Sequence, residues 1–145
     1  MAGLLHEVGV LILVDAFPAK YDLAIDCAQR SGMPLWAAEQ EIFGTTHAAI
    51  GSYLLWLWGL PDTVVEAVAW HHAPSQCPVA AFGPLAAVHL ADALMEEHDS
   101  SNGAAAEDEP PKGVDVPYLD KVAMGRDIAK WRALTREAVY SKEAA

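Results

Sequence analysis

Apolar residues recur along this chain at intervals of three and four, and strand-like alternation is sparse, so the pattern predicts helices. The opening segment, about 3–15, runs Leu4-Leu5-His6-Glu7-Val8-Gly9-Val10-Leu11-Ile12-Leu13. Its length and context favour a buried helix despite its Val and Ile content. Pro18 precedes or begins a second helix, roughly 19–31, with Leu23 and Cys27 one turn apart and Gly32 as its stop. Pro34 suits an early position of a helix over 34–43 that runs through Leu35, Ala38 and Ile42 to Gly44. Thr45 or Thr46 can cap the next helix, which starts near His47 and carries Ile50, Leu54, Leu57 and Trp58 before Gly59. Asp62 can cap a helix holding Val64, Val65, Val68, Ala69 and His72. A loop over 73–83 then leads to a helix from Pro84 through Leu85, Val88, Ala91, Asp92 and Met95.

The stretch 99–113 is polar, acidic and broken by Gly and Pro, which makes it the clearest linker and a poor candidate for order along its length. Beyond it, 117–124 and 127–140 read as a short helix and a longer one. Ile128, Trp131, Leu134 and Ala138 give the latter an apolar stripe for docking, with Trp131 as anchor. The expected organisation is a helical core over 1–98, an acidic flexible linker over 99–114, and closing helices over 115–145 with a frayed end. The fold class is all-α, a bundle of about six to eight helices.

Composition narrows the partners. The 145 residues have room for one core, and 53% are apolar. Twenty acidic against nine Lys and Arg residues give a net charge of −11. This balance argues against a broad nucleic-acid surface, which needs clustered cations, but leaves room for a small anion held locally. Cys27 and Cys77 lack metal-knuckle spacing and read as buried free thiols in a reducing compartment. The apolar run from Val8 to Val14 is too short to span a membrane, and no signal peptide is evident, so a cytoplasmic location is expected. The chain opens almost inside its first apolar helix, which suggests a piece of a longer protein. The apolar face of that helix makes self-association, as a homodimer, an expectation.

Candidate chemistry gathers at His6-Glu7, His47, His71-His72, His89 and Asp92. Imidazole and carboxylate suit iron, manganese, nickel or zinc, but no short metal motif occurs, and the groups could equally form a hydrogen-bonded polar cluster inside the bundle. His89 and Asp92 lie one turn apart and could share a site or pair with each other. His71 and His72 cannot point the same way on a helix. The stripe through Val65 and Val68 slightly favours His72 as the ring facing the cleft, though spacing leaves the choice open.

Five blocks, in order, carry a family resemblance. Leu4-Leu5-His6-Glu7-Val8-Gly9 resembles the Leu-His-Asp-Ile-Gly segment of the HD superfamily, and Phe43-Gly44-Thr45-Thr46-His47-Ala48-Ala49-Ile50-Gly51 its following block. Leu57-Trp58-Gly59-Leu60-Pro61, the run from Val64 to His72, and Val88-His89-Leu90-Ala91-Asp92 continue it. Together they resemble the HDOD branch, whose members often accompany receiver or other signalling domains, over roughly 3–97 and again over 117–139. The missing Gly-Tyr-Pro loop separates the chain from cyclic-dinucleotide phosphodiesterases.

The resemblance implies that His6, Glu7 and Asp92 match part of the metal set of catalytic relatives, while His47, His71 and His72 match the additional histidines of the HD-GYP type. Two departures weaken catalysis. Glu7 replaces the expected Asp and moves the carboxylate by about 1.5 Å on a fixed backbone, where metal geometry leaves little slack. No earlier histidine exists, because His6 is the first. No Lys or Arg near these segments obviously clamps a phosphate. The implied function is therefore a non-catalytic signalling or protein-interaction module with a degenerate metal site. Its partners would be signalling proteins or other domains of a longer parent, and Trp36, Trp56, Trp58 and Trp70 are candidates for the contact surface. No nucleic acid, membrane or obligatory cofactor is expected, although a divalent metal is compatible with the site. The alternative is a metal-dependent phosphohydrolase acting on a nucleotide or cyclic dinucleotide.

Overall fold

The computed structural model describes residues 1–79, 81–101, 109–123 and 127–143. Among them are nine α-helical segments and no β-strand, an all-α bundle of the HD type. The segments are α1 (Ala2–Leu5), α2 (Val8–Ala16), α3 (Pro18–Ser31), α4 (Leu35–Phe43), α5 (His47–Leu57), α6 (Asp62–Trp70), α7 (Pro84–Ser101), α8 (Val116–Lys121) and α9 (Ile128–Glu143). Part of the expected linker, 102–108, lies outside the described residues.

Local signals account for most boundaries. Gly32 and Gly44 end α3 and α4 in the left-handed conformation, at φ of 65° and 75°, where a side chain would be strained. Thr46 caps α5, its hydroxyl oxygen accepting from the Ala49 N–H at 3.2 Å. Pro34 is the extended residue before α4 rather than part of it, and Pro61 plays the same role before α6, which leaves Asp62 as an acid in the first turn.

Three boundaries differ from expectation. The opening helix is interrupted at His6-Glu7, where Glu7 leaves helical geometry at φ −93°, ψ 7°. α6 stops at Trp70, short of His72, and a 3-10 turn at Pro74–Gln76 follows. Ala73 precedes Pro74 and adopts φ −141°, ψ 59°, away from the helical region that proline disfavours for its predecessor. α7 continues beyond Met95 to Ser101.

α5 is central. It packs against α2 on one side and α6 on the other, and α6 in turn packs on α7. The core joins Leu55 of α5, Val64, Ala67 and Val68 of α6, and Leu85, Leu90 and Leu94 of α7. Tyr118, Leu119 and Val122 from the α8 region enter the same core. On α9, Arg132 forms a bidentate pair with Glu97 of α7 at 2.7 and 2.8 Å. Both cysteines are free, with Cys77 buried and Cys27 half-buried. No described helix is long and apolar enough to cross a membrane.

α2 and α5 cross at two glycines. A Cβ on Gly9 would overlap the His47 carbonyl oxygen and lie 2.7 Å from the His47 carbonyl carbon and 2.9 Å from the Gly51 nitrogen. These are backbone atoms and cannot swing aside. We expect Gly9→Ala to destabilise the fold by about 3 kcal/mol. Gly3→Ala, whose new methyl meets nothing within 4 Å, should change stability by less than about 0.5 kcal/mol. Urea denaturation checks this, and equal effects would remove the close crossing as a determinant.

Candidate functional site: a histidine–carboxylate cleft

The break between α1 and α2 presents His6 and Glu7 side by side opposite the start of α5 and the end of α6. Glu7 Oε1 lies 3.6 Å from His6 Nε2, 3.5 Å from His47 Nε2 and 3.5 Å from His71 Nε2. His72 Nε2 approaches His47 Nε2 at 3.0 Å, and Asp92 Oδ1 lies 3.5 Å from His6 Nε2. Two overlapping groups result: Glu7 with His47, His71 and His72, and His6 with Glu7 and Asp92.

Both His71 and His72 line this cleft just beyond the last residue of α6, and their ring centroids are 3.9 Å apart. His89 behaves differently. Its Nδ1–H donates to the His71 carbonyl oxygen at 2.6 Å, and its Nε2 accepts from the Asp115 N–H at 2.9 Å. Both nitrogens are committed to bracing the cleft wall, and His89 does not pair with Asp92. Burial pushes its pKa down, which matches the neutral ring this bonding requires.

Four groups outside the expected site residues complete the site, of which Trp36 was expected only on a contact surface. Glu39 of α4 is fully buried, and its Oε2 accepts from both His47 Nδ1–H at 2.7 Å and the His47 backbone N–H at 2.8 Å. Tyr21 O–H donates to the other oxygen at 3.2 Å. Trp36 stacks on His72, 5.9 Å between centroids and 19° from parallel. Lys112 lines the cleft, a volume of about 680 Å³, and brings a cation that no neighbouring segment supplies.

The tautomers follow from these bonds. His71 Nδ1–H donates to the Val68 carbonyl at 2.8 Å, so its buried Nε2 carries a lone pair, and that atom has no hydrogen-bond partner. The Glu39 bond likewise leaves His47 Nε2 aimed inward. Burial opposes charge on His47, but hydrogen bonds and charge from Glu39 and Glu7 outweigh it and raise its pKa to about 9. Burial, then the neighbouring His71 and His47, lower His72 to about 3. Burial would raise Glu7, yet the imidazoles closing around it, His47 foremost, hold it well below the carboxylate range. Asp92 is also lowered, its bond from His6 overcoming burial.

These donors fit a divalent cation. Metal–nitrogen bonds of about 2.0–2.1 Å in a tetrahedron place donor atoms about 3.3–3.4 Å apart, close to the 3.5, 3.5 and 3.0 Å found between neighbouring donors here. The orphaned His71 Nε2 is the atom such a cation would satisfy. Glu39 and the Val68 carbonyl are the outer groups that fix ligand tautomers in metal sites.

The chain belongs to the HDOD domain family, whose model matches residues 1–74. The match contains His6, Glu7, His47, His71 and His72 and stops before His89 and Asp92. Over 78 residues the chain is 26% identical to an "Uncharacterized protein" of Treponema pallidum (strain Nichols), an alignment covering 54% of this chain and 15% of that relative. The chain thus spans a small part of that protein's length. No solved structure matches. Within the family, the HD pair is written His6-Glu7 here, a degenerate form of the site.

In the metal-free protein, the raised pKa of His47 stabilises the fold below the ordinary imidazole value, and that contribution is lost as pH rises through about 9. Glu39→Gln should lower the His47 pKa by at least about 1. Imidazole titration by NMR reads this directly, and an unchanged His47 pKa would remove Glu39 as its partner.

Proposed function

We propose that the chain is a regulatory HDOD module that acts through a partner protein, or another domain of a longer polypeptide, and that holds one divalent cation as part of its structure. One observation carries this reading. Glu7, His47, His71 and His72 bring four donor atoms within 4.8 Å of one another, and four protein donors close a tetrahedral shell. Catalytic sites of this kind keep a position open for water. The cation would cross-link α2, α5 and the end of α6, and replace the proton that His47 otherwise shares with Glu7. His6 and Asp92 flank this cluster and, with Glu7, form a three-donor group that needs a further ligand to resemble the sites of catalytic relatives. In this reading residues 1–98 form the core, and the helices from 115 onward close it beyond an acidic linker. The protein acts in the cytoplasm, with neither nucleic acid nor a membrane as partner.

The alternative phosphohydrolase reading draws on Lys112, which lines the cleft and could meet phosphate, and on Asp92 opposite His6. Metal content separates the two. Protein purified without chelators or metal resin should carry about one equivalent of iron, manganese, nickel or zinc. That equivalent should be lost in His47→Ala and His71→Ala but kept in Asp92→Ala. Two equivalents, with one lost in Asp92→Ala, would favour hydrolysis, whereas less than about a tenth of an equivalent after metal addition would overturn both.

Leu4 and Leu11 are 89% and 70% exposed on the outer face of α1 and α2, beside the partly exposed Val14. We propose that a second copy covers this face. Light scattering at tens of micromolar should then report a dimer that Leu11→Glu converts to monomer; a wild-type monomer would remove it.

A further inference from the structure

A second cavity, about 740 Å³, opens behind the cleft, from which Trp36 and His72 separate it. Its walls come from α4, α5 and α6: Trp36, Tyr53, Trp56 and Trp70 supply aromatic surface, and Val65 and Ala69 line it between them. Tyr53 and Trp56, one turn apart on α5, stack at 6.0 Å and 27°, yet remain 62% and 59% exposed. Two large aromatic rings left in water beside a groove form a surface that association would bury.

Charge says what kind of partner fits. No Lys or Arg occurs between Arg30 and Lys112, so α4, α5 and α6 contain no Lys or Arg at all. The groove lining carries no carboxylate or fixed cation. On α6, however, Glu66 stands three and four residues before the lining positions Ala69 and Trp70, and Asp62 three before Val65, which puts both acids along the same helix face. The groove therefore combines π faces with a negative rim and no positive group to repel a cation. Aromatic faces attract guanidinium and ammonium groups, and the acids steer them in.

We propose that this groove docks a peptide segment of a partner protein that presents arginine or lysine, its cationic side chain lying over Tyr53 or Trp56 beside Glu66 and its apolar residues against Val65, Ala69 and Trp70. The proposal takes up the partner-binding part of the function above and does not depend on the cation. Because Trp36 and His72 line both cavities, an occupied groove and an occupied cleft share a wall.

The test is selection from a phage-displayed library of random dodecapeptides on the full chain, once with chelator and once with zinc. Recovered peptides should be enriched in Arg or Lys and bind more weakly as salt rises. They should lose at least about tenfold in affinity to Trp56→Ala, an exposed position whose removal leaves the core intact. Glu66→Lys should also weaken them while circular dichroism and metal content stay unchanged. Failure to enrich any peptide would overturn the proposal, as would enrichment of neutral or acidic ones. So would basic peptides that bind Trp56→Ala and Glu66→Lys as well as wild type. Any of these results with chelator leaves the metal reading standing, and a metal-free chain that selects basic peptides leaves this one standing.

Discussion

The site depends on the approach of two helix backbones. Gly9 of α2 and Gly51 of α5 touch with no side chain between them, and the Gly51 Cβ position is already only 3.1 Å from the Gly9 nitrogen and from Val8 Cγ1. Because the crossing is that close, the break just before α2 holds Glu7 against the first residue of α5. Glu7 then reaches His47 without a long lever, and the same α5 presents its far side to α6, whose end carries His71 and His72. A side chain at Gly9 would push α2 away from the His47 backbone and widen every separation in the cluster together. Cleft and core are thus one packing problem.

Electrostatics then sets a second constraint. Burying His47 and Glu39 together works only because each satisfies the other, and one buried charge left alone would be costly. Glu39 spends both oxygens, on Tyr21 and on two nitrogens of His47, so three hydrogen bonds to a single carboxylate tie α3, α4 and α5 together. What this arrangement leaves unmet is on the inner side, at His71 Nε2. A cation there would satisfy that nitrogen, relieve the crowding of three imidazoles and neutralise Glu7 in one step. The cluster has the character of a binding site because its outer bonds are complete while His71 Nε2, on its inner side, is left without one.

Much of this was legible in the sequence. The helical period, the stops at Gly32, Gly44 and Gly59 and the Thr46 cap are local signals, and the structure reproduces them. The five ordered blocks led to the HDOD family. Spacing left the facing of His71 and His72 open, and both rings line the cleft just past the end of α6. Glu39 could have been noticed, since Leu35, Glu39 and Ile42 share a helical face and an acid on an apolar face needs a partner. Lys112 had no local signal at all: it reaches the cleft because α8 packs back into the core, a tertiary fact that no spacing encodes. His89 lines the cleft, as expected of a cleft candidate, but as a brace for its wall. Its residue type suited a ligand, but both nitrogens bind backbone, and side-chain identity alone cannot distinguish those uses.

The longer Glu7 side chain takes on a different meaning in this geometry. An acid tuned to one metal position loses by gaining a methylene, yet Oε1 here sits at nearly equal distance, 3.5 to 3.6 Å, from three imidazole nitrogens. The carboxylate is centred on the histidine cluster rather than drawn toward Asp92, and Asp92 is left to pair with His6. That division favours one well-satisfied position over two open ones. A cation held there would tie α2, α5 and the end of α6 together, and those are the elements next to the aromatic groove. Stability of the cleft and shape of the groove would then be linked through the shared Trp36–His72 stack, which suits a module whose output is contact with another protein better than one whose output is turnover.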